Sequence, residues 1–135
     1  MTISDMLNKG ADTLQKAGIE EYGLDAWYLL SYCMGINRAK YYMVQGDEAD
    51  AQIIEKYNSL IGIRAERKPL QQITGSQEFM GIEFEIDENV LIPRQDTEIL
   101  VSEVYKLCQN KNVLDMCTGS RLLLRRVVHT TLLMI

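Results

Sequence analysis

The spacing of apolar residues changes once along this chain, near Pro69, and that change constrains the fold more than any other feature. Before it, Ile3, Leu7, Ala11 and Leu14 recur every three or four residues, and so do Ile53, Ile54, Tyr57, Leu60 and Ile61. That spacing lines one face of a helix. After it, Ile82, Phe84 and Ile86 alternate with Glu83, Glu85 and Asp87, the period of a half-buried strand. The chain therefore reads as α+β: helices first, then strands with a further helix.

Punctuation places the helices. Thr2 and Asp5 have the spacing at which each side chain satisfies a free backbone N–H at a helix start. A first helix then runs to about Ala17 and stops at Gly18. A second covers about Leu24 to Met34 and is apolar nearly all round, as a central bundle helix would be. A third is expected over Arg38 to Val44, ended by Gly46. A fourth begins near Asp47 and ends near Lys68, because Pro69 disfavours helix in the residue before it. Residues 1–68 thus form a helical bundle, with Trp27, Tyr28 and Tyr32 in its core and on its surface.

Residues 69–92 read as a β-hairpin linker, with Gln77 to Phe79 paired to the alternating strand across a turn at Met80-Gly81. The acidic residues Glu78, Glu83, Glu85, Asp87 and Glu88 are its solvated face. A helix is expected from Asp96 or Thr97, with acids in its first turn and Ile99, Leu100, Val104 and Leu107 as its buried stripe. A short strand, NVLDM, follows and breaks into the turn Cys117-Thr118-Gly119-Ser120.

Composition narrows the function classes. Net charge is −5, which argues against a direct nucleic-acid binder. Cys33, Cys108 and Cys117 are odd in number and far apart, as expected of reduced thiols in a cytoplasmic protein. No apolar run suggests a signal peptide or a membrane span. All 19 acids and 11 of the 14 basic residues lie in residues 1–120, leaving that part at −8, whereas residues 121–135 carry +3 and nine apolar side chains. His129, the only histidine, has no partner at ligand spacing, so no metal site is expected.

A strand that ends in an acid and turns through small residues is how a Rossmann-type cofactor site begins. The backbone must approach the ligand closely with its N–H groups facing it. The stretch PLQQITGSQEFMGIEFEIDENVLIPRQDTEILV, residues 69–101, then a helix, then NVLDMCTGS, resembles the peptide chain release factor glutamine methyltransferases over about residues 1–120. The resemblance implies an α+β chain with an N-terminal helical bundle of release-factor recognition type, a β-hairpin linker, and the first helix and strand of an incomplete Rossmann-like class I methyltransferase domain at residues 93–120. It implies S-adenosylmethionine as cofactor, held at Asp115, Cys117, Thr118, Gly119 and Ser120. It places Arg94, Thr97 and Glu98 beside the cofactor and glutamine pocket. The substrate it implies is the side-chain amide of Gln in the Gly-Gly-Gln motif of release factors.

The sequence departs from that pattern in two places. Arg121 stands where the family has a further Gly, and the Asn-Pro-Pro-Tyr segment that grips the substrate amide is absent: neither Pro69 nor Pro93 follows an Asn. No catalytic residue is therefore assigned. Cofactor binding and activity are not expected of this chain alone, and residues 121–135 read as an aberrant tail able to self-associate. Two alternatives are a non-catalytic helical docking module for a protein partner and a fragment of the related ribosomal-protein glutamine methyltransferase.

Overall fold

The computed structural model describes residues 1–108, 111, 113–115 and 132–134. These fall into two compact units, Met1–Thr74 and Gly75–Ile135, and they form a mixed α+β protein.

The first unit is helical. Helix α1 spans Ile3–Lys16, and the Thr2/Asp5 capping box forms in both directions. Helix α2 spans Tyr22–Met34 and closes on Gly35, whose φ of 64° is the left-handed conformation that glycine adopts without strain. Helix α3 spans Arg38–Val44, capped by the Asn37 side chain. Helix α4 spans Ala51–Ala65 and starts at an Asp50 cap, a few residues later than the sequence suggests. Helix α5, Leu70–Thr74, was not anticipated. Helix α4 ends at Ala65, before the left-handed Arg67 (φ 69°) and short of the Lys68 end expected from Pro69. Pro69 instead leads α5, since a missing N–H costs nothing at a helix start, and Leu70 and Ile73 pack against the core of this unit.

That core holds Ile3, Met6 and Leu14 of α1, Trp27, Leu29 and Leu30 of α2, and Tyr57 and Ile61 of α4. Trp27 meets the Tyr41 ring edge-on at 5.3 Å, and the Arg38 guanidinium lies 4.3 Å over the indole. Although α2 is apolar nearly all round, one face is open: Leu24, Tyr28 and Tyr32 are exposed.

In the second unit, strands β1 (Ser76–Phe79) and β2 (Ile82–Glu85) form an antiparallel hairpin with Phe79 opposite Ile82. Met80 and Gly81 both have positive φ, 49° and 77°, the conformation that matches a two-residue turn to the twist of its strands. Phe79, Phe84 and Ile86 point to one side and pack with Val101. All five acids of the hairpin segment are exposed, as its alternation implies.

Helix α6 spans Gln95–Leu107. Its buried face differs from the one its periodicity predicts. Val101 is the residue fully buried, whereas Ile99, Leu100 and Leu107 are 67%, 52% and 68% exposed and Val104 is half-buried. The hairpin presents only a narrow apolar face, and α6 sets Val101 against it; the broader stripe turns outward. Strand β3, Val113–Asp115, pairs in parallel with β4, Leu132–Met134.

Candidate functional site

Two places in the second unit carry residues singled out by the sequence. The first is the start of α6. Arg94 is its N-cap in extended conformation and makes no capping hydrogen bond through its side chain. Its carbonyl accepts from the Thr97 N–H at 3.0 Å. Thr97 and Glu98 are half-buried in the first turn and Arg94 is exposed. Gln95, Asp96, Glu98, Ile99, Ser102 and Glu103 line an open depression of about 440 Å³ along this end of the helix. The local sequence explains the helix: Pro93 fixes an extended approach, and Asp96 and Glu98 complement the positive end of the helix dipole.

The second place is the end of β3. Asp115 is the last residue of that strand, so it stands at the carboxyl end of a parallel pair, where open α/β sheets bind their ligands. Cys117, Thr118, Gly119 and Ser120 lie outside the described residues. The structure thus brings Arg94, Thr97 and Glu98 into one helical turn and sets Asp115 at a strand end. Among the described residues no group of three or more His, Cys, Asp or Glu is placed to hold a metal ion.

Sequence reasoning missed one polar constellation in the helical unit. Asp25, 5% exposed, accepts from Arg64 Nε at 2.7 Å. Arg64 Nη1 donates to the Lys68 carbonyl at 3.1 Å, and Arg67 Nη2 reaches the Ala17 carbonyl at 3.5 Å. A cavity of about 500 Å³ opens above them, with Glu20, Glu21 and Gln71 also on its walls. Its walls carry both signs of charge, so it exerts no strong field on a charged small ligand. What the cluster does is tie together the C-termini of α1 and α4 and the first turn of α2. The signal lay in YGLDAWYLL, where a lone acid inside an apolar helix demands a cationic partner elsewhere.

Three groups in this unit are electrostatically shifted: hydrogen bonds with Thr2 hold the Asp5 carboxyl below the usual carboxylate range, and two buried groups move upward. Burial pushes the Tyr57 phenol well above its ordinary value near 10, with Cys33 and Tyr41 adding to the effect. Burial likewise raises the Cys33 thiol, and the Lys56 ammonium partly opposes it. Tyr57 Oη donates to the Ala26 carbonyl at 3.2 Å, a structural bond.

Architecture and residues together define a protein with a helical unit followed by a hairpin, a helix and a parallel strand ending in an acid. Residues 5–75 match the model of the PrmC N-terminal domain. Over 123 residues the chain is 39% identical to a release factor glutamine methyltransferase of Clostridium botulinum, covering 89% of this chain and 44% of that protein. It is 35% identical over 120 residues to one from Geobacter sulfurreducens, covering 88% and 42%. It is 34% identical over 117 residues to a bifunctional methyltransferase of Rickettsia typhi, covering 87% and 23%. The chain belongs to the release factor glutamine methyltransferase family, through that family's N-terminal domain. It spans less than half the length of these relatives. No helix among the described residues is long and apolar enough to cross a membrane.

Proposed function

We propose that this chain supplies the substrate-docking part, and the start of the cofactor site, of an S-adenosylmethionine-dependent methyltransferase. Its substrate is the Gln side-chain amide in the Gly-Gly-Gln motif of peptide chain release factors, in the cytoplasm. The observation that carries this is the coincidence of the matched family domain, residues 5–75, with the compact helical unit Met1–Thr74. A compact helical unit that is not the transferase sheet is suited to hold a protein substrate. The exposed Leu24, Tyr28 and Tyr32 are of the kinds that anchor protein contacts.

The second unit contributes less. When bound, the cofactor supplies an electrophilic methyl group on a sulfonium. Asp115 at the end of β3 fits a cofactor of this kind as a hydrogen-bond acceptor, followed by Cys117, Thr118, Gly119 and Ser120 with their small side chains. Arg94, Thr97 and Glu98 would border the pocket. Arg121 does not fit: a long cation repels a sulfonium, and a non-Gly residue resists positive φ. Methyl transfer to an amide relies mainly on holding the two groups in line, and no Asn-Pro pair is present to grip the amide. The residues here therefore bind and position, and the transfer draws on groups outside them.

The test combines two measurements on the 135-residue chain. Immobilised chain should bind a bacterial release factor saturably, while calorimetry with millimolar S-adenosylmethionine should give no saturable heat. Failure to retain the release factor would sink the docking role. Labelled methyl appearing on the release factor would overturn the division of labour.

A further inference from the structure

Arg67 stands where a glycine would rest without strain. It follows the C-cap of α4, and its φ of 69° is left-handed, a conformation that closes many helices on Gly and disfavours any residue with a Cβ. Little in the fold offsets that strain. Its one side-chain hydrogen bond among the described residues runs to the Ala17 carbonyl at 3.5 Å, the outer limit of such a bond, and its guanidinium lies beside Gly18. A strained residue whose own contacts do not account for it points to a function for its side chain.

Arg67 borders the cavity of about 500 Å³ in the helical unit, a volume ordinary for a small-molecule site. Asp25 and Arg64 neutralise each other in its wall. The groups left to meet a ligand are Arg67 and Gln71, which donate hydrogen bonds, and Glu20 and Glu21, which are anionic. An ion of one sign is drawn by one of these sets and repelled by a charge in the other. A molecule that carries both signs gains from both. The guanidinium fork matches a carboxylate, and a glutamate accepts from an ammonium. Ile19 and Leu70 add apolar wall.

We propose that this cavity binds a small zwitterion, a free aliphatic α-amino acid. Its carboxylate meets Arg67 and Gln71, its ammonium meets Glu20 and Glu21, and its side chain lies against Ile19 and Leu70. The site is separate from release-factor docking and stands or falls without it.

The experiment titrates the 135-residue chain with L-leucine and follows its amide NMR spectrum. Saturable shifts are expected below about 10 mM ligand, at amides of residues 18–25 and 64–71 around the cavity. N-acetyl-leucine lacks the ammonium and leucinamide lacks the carboxylate, so each should bind at least about tenfold more weakly. Arg67→Gly should also bind leucine at least about tenfold more weakly. It should melt no lower than the parent, because glycine suits a left-handed position. Glu20→Gln/Glu21→Gln changes two exposed side chains, so it should fold as the parent does and lose leucine to the same degree. A lower melting temperature for Arg67→Gly would show that the fold itself needs the side chain, and the proposal falls. It falls too if no saturable shift appears, if the shifts scatter over other residues, or if either analogue binds as leucine does. Parent-like binding by Arg67→Gly or by the double variant is equally fatal to it.

Discussion

The Tyr57 hydroxyl occupies the space that a side chain at Gly10 would need. A Cβ at position 10 would stand only 2.7 Å and 2.8 Å from Cζ and Cε1 of that ring, so α1 and α4 approach closely because residue 10 has no side chain. From this position Tyr57 Oη donates to the Ala26 carbonyl of α2 at 3.2 Å, and one phenol touches three helices.

Gly10→Ala should therefore destabilise the protein in spite of alanine's helix propensity. Overpacking a tight core costs about 1–3 kcal/mol, against roughly 1 kcal/mol gained by replacing a mid-helix glycine. Gly62, inside α4, has nothing within 4 Å of its hypothetical Cβ, so Gly62→Ala should stabilise by about 0.5–1 kcal/mol. One substitution with opposite signs at two glycines is a sharp test by thermal unfolding. A loss of about 1 kcal/mol corresponds to roughly 4–8 °C in Tm. Equal shifts in the same direction would refute the packing argument.

Tyr57 also sets an alkaline limit. Its phenol is raised by burial above the ordinary value near 10, so the folded state holds its proton where the unfolded chain has lost it. The resulting stability is complete below about pH 10 and is lost as pH rises towards the folded value. Tyr57→Phe should cost about 1 kcal/mol at neutral pH, from the bond to Ala26, and should flatten the decline above pH 10. Urea midpoints at pH 7, 9 and 10.5 measure both effects; parallel declines in parent and variant would contradict the assignment.

How much of this was legible depended on whether the partner of each segment was local. The Thr2/Asp5 capping box, the bounds of α3 and the Met80-Gly81 turn follow from neighbours in sequence, and all stand where the spacing put them. The face of α6 did not. Periodicity identified Ile99, Leu100 and Leu107 as apolar, but which side a helix buries depends on what it meets, and the hairpin took Val101 instead. Helix α5 was hidden because Pro69 reads as a stop, whereas α4 has already ended at Ala65 and Pro69 serves as a start. The Asp25–Arg64 pair is separated by 39 residues, so the lone acid in α2 announced a partner without saying which. Of the candidate site, the sequence named Arg94, Thr97, Glu98 and Asp115, and the structure sets the first three on one helical turn and the last at a strand end.

The hairpin carries an electrostatic cost that can be relieved. Glu78 lies directly opposite Glu83 in the β1–β2 register, and like charges facing each other across an antiparallel pair destabilise it. Glu83→Lys should stabilise the second unit by about 0.2–1 kcal/mol at low salt, and the gain should shrink as salt screens exposed charges. Hydrogen exchange at the β1 and β2 amides reads this without interference from the helical unit. Protection unchanged by the substitution at low salt would show that the two carboxylates already splay apart at no cost.

The Asp25–Arg64 pair should behave as a buried pair rather than a surface one. The two side chains are 8% and 18% exposed and 2.7 Å apart. Arg64→Met leaves a buried carboxylate without its direct ion-pair partner, with Arg67 the remaining cation on the cavity walls, and also strips the Lys68 carbonyl of its donor. Breaking such a pair from one side costs about 3 kcal/mol. Asp25→Leu leaves the guanidinium, which can turn into the adjoining cavity towards Glu20 or Glu21, so its cost should be smaller. Replacing both residues removes the desolvated charges together, and Asp25→Leu/Arg64→Met should lie within about 1 kcal/mol of the parent. A double-mutant cycle by urea unfolding measures the coupling. If the double variant loses the sum of the single losses, the two side chains act independently, and the tie between the first turn of α2 and the end of α4 is not made by this pair.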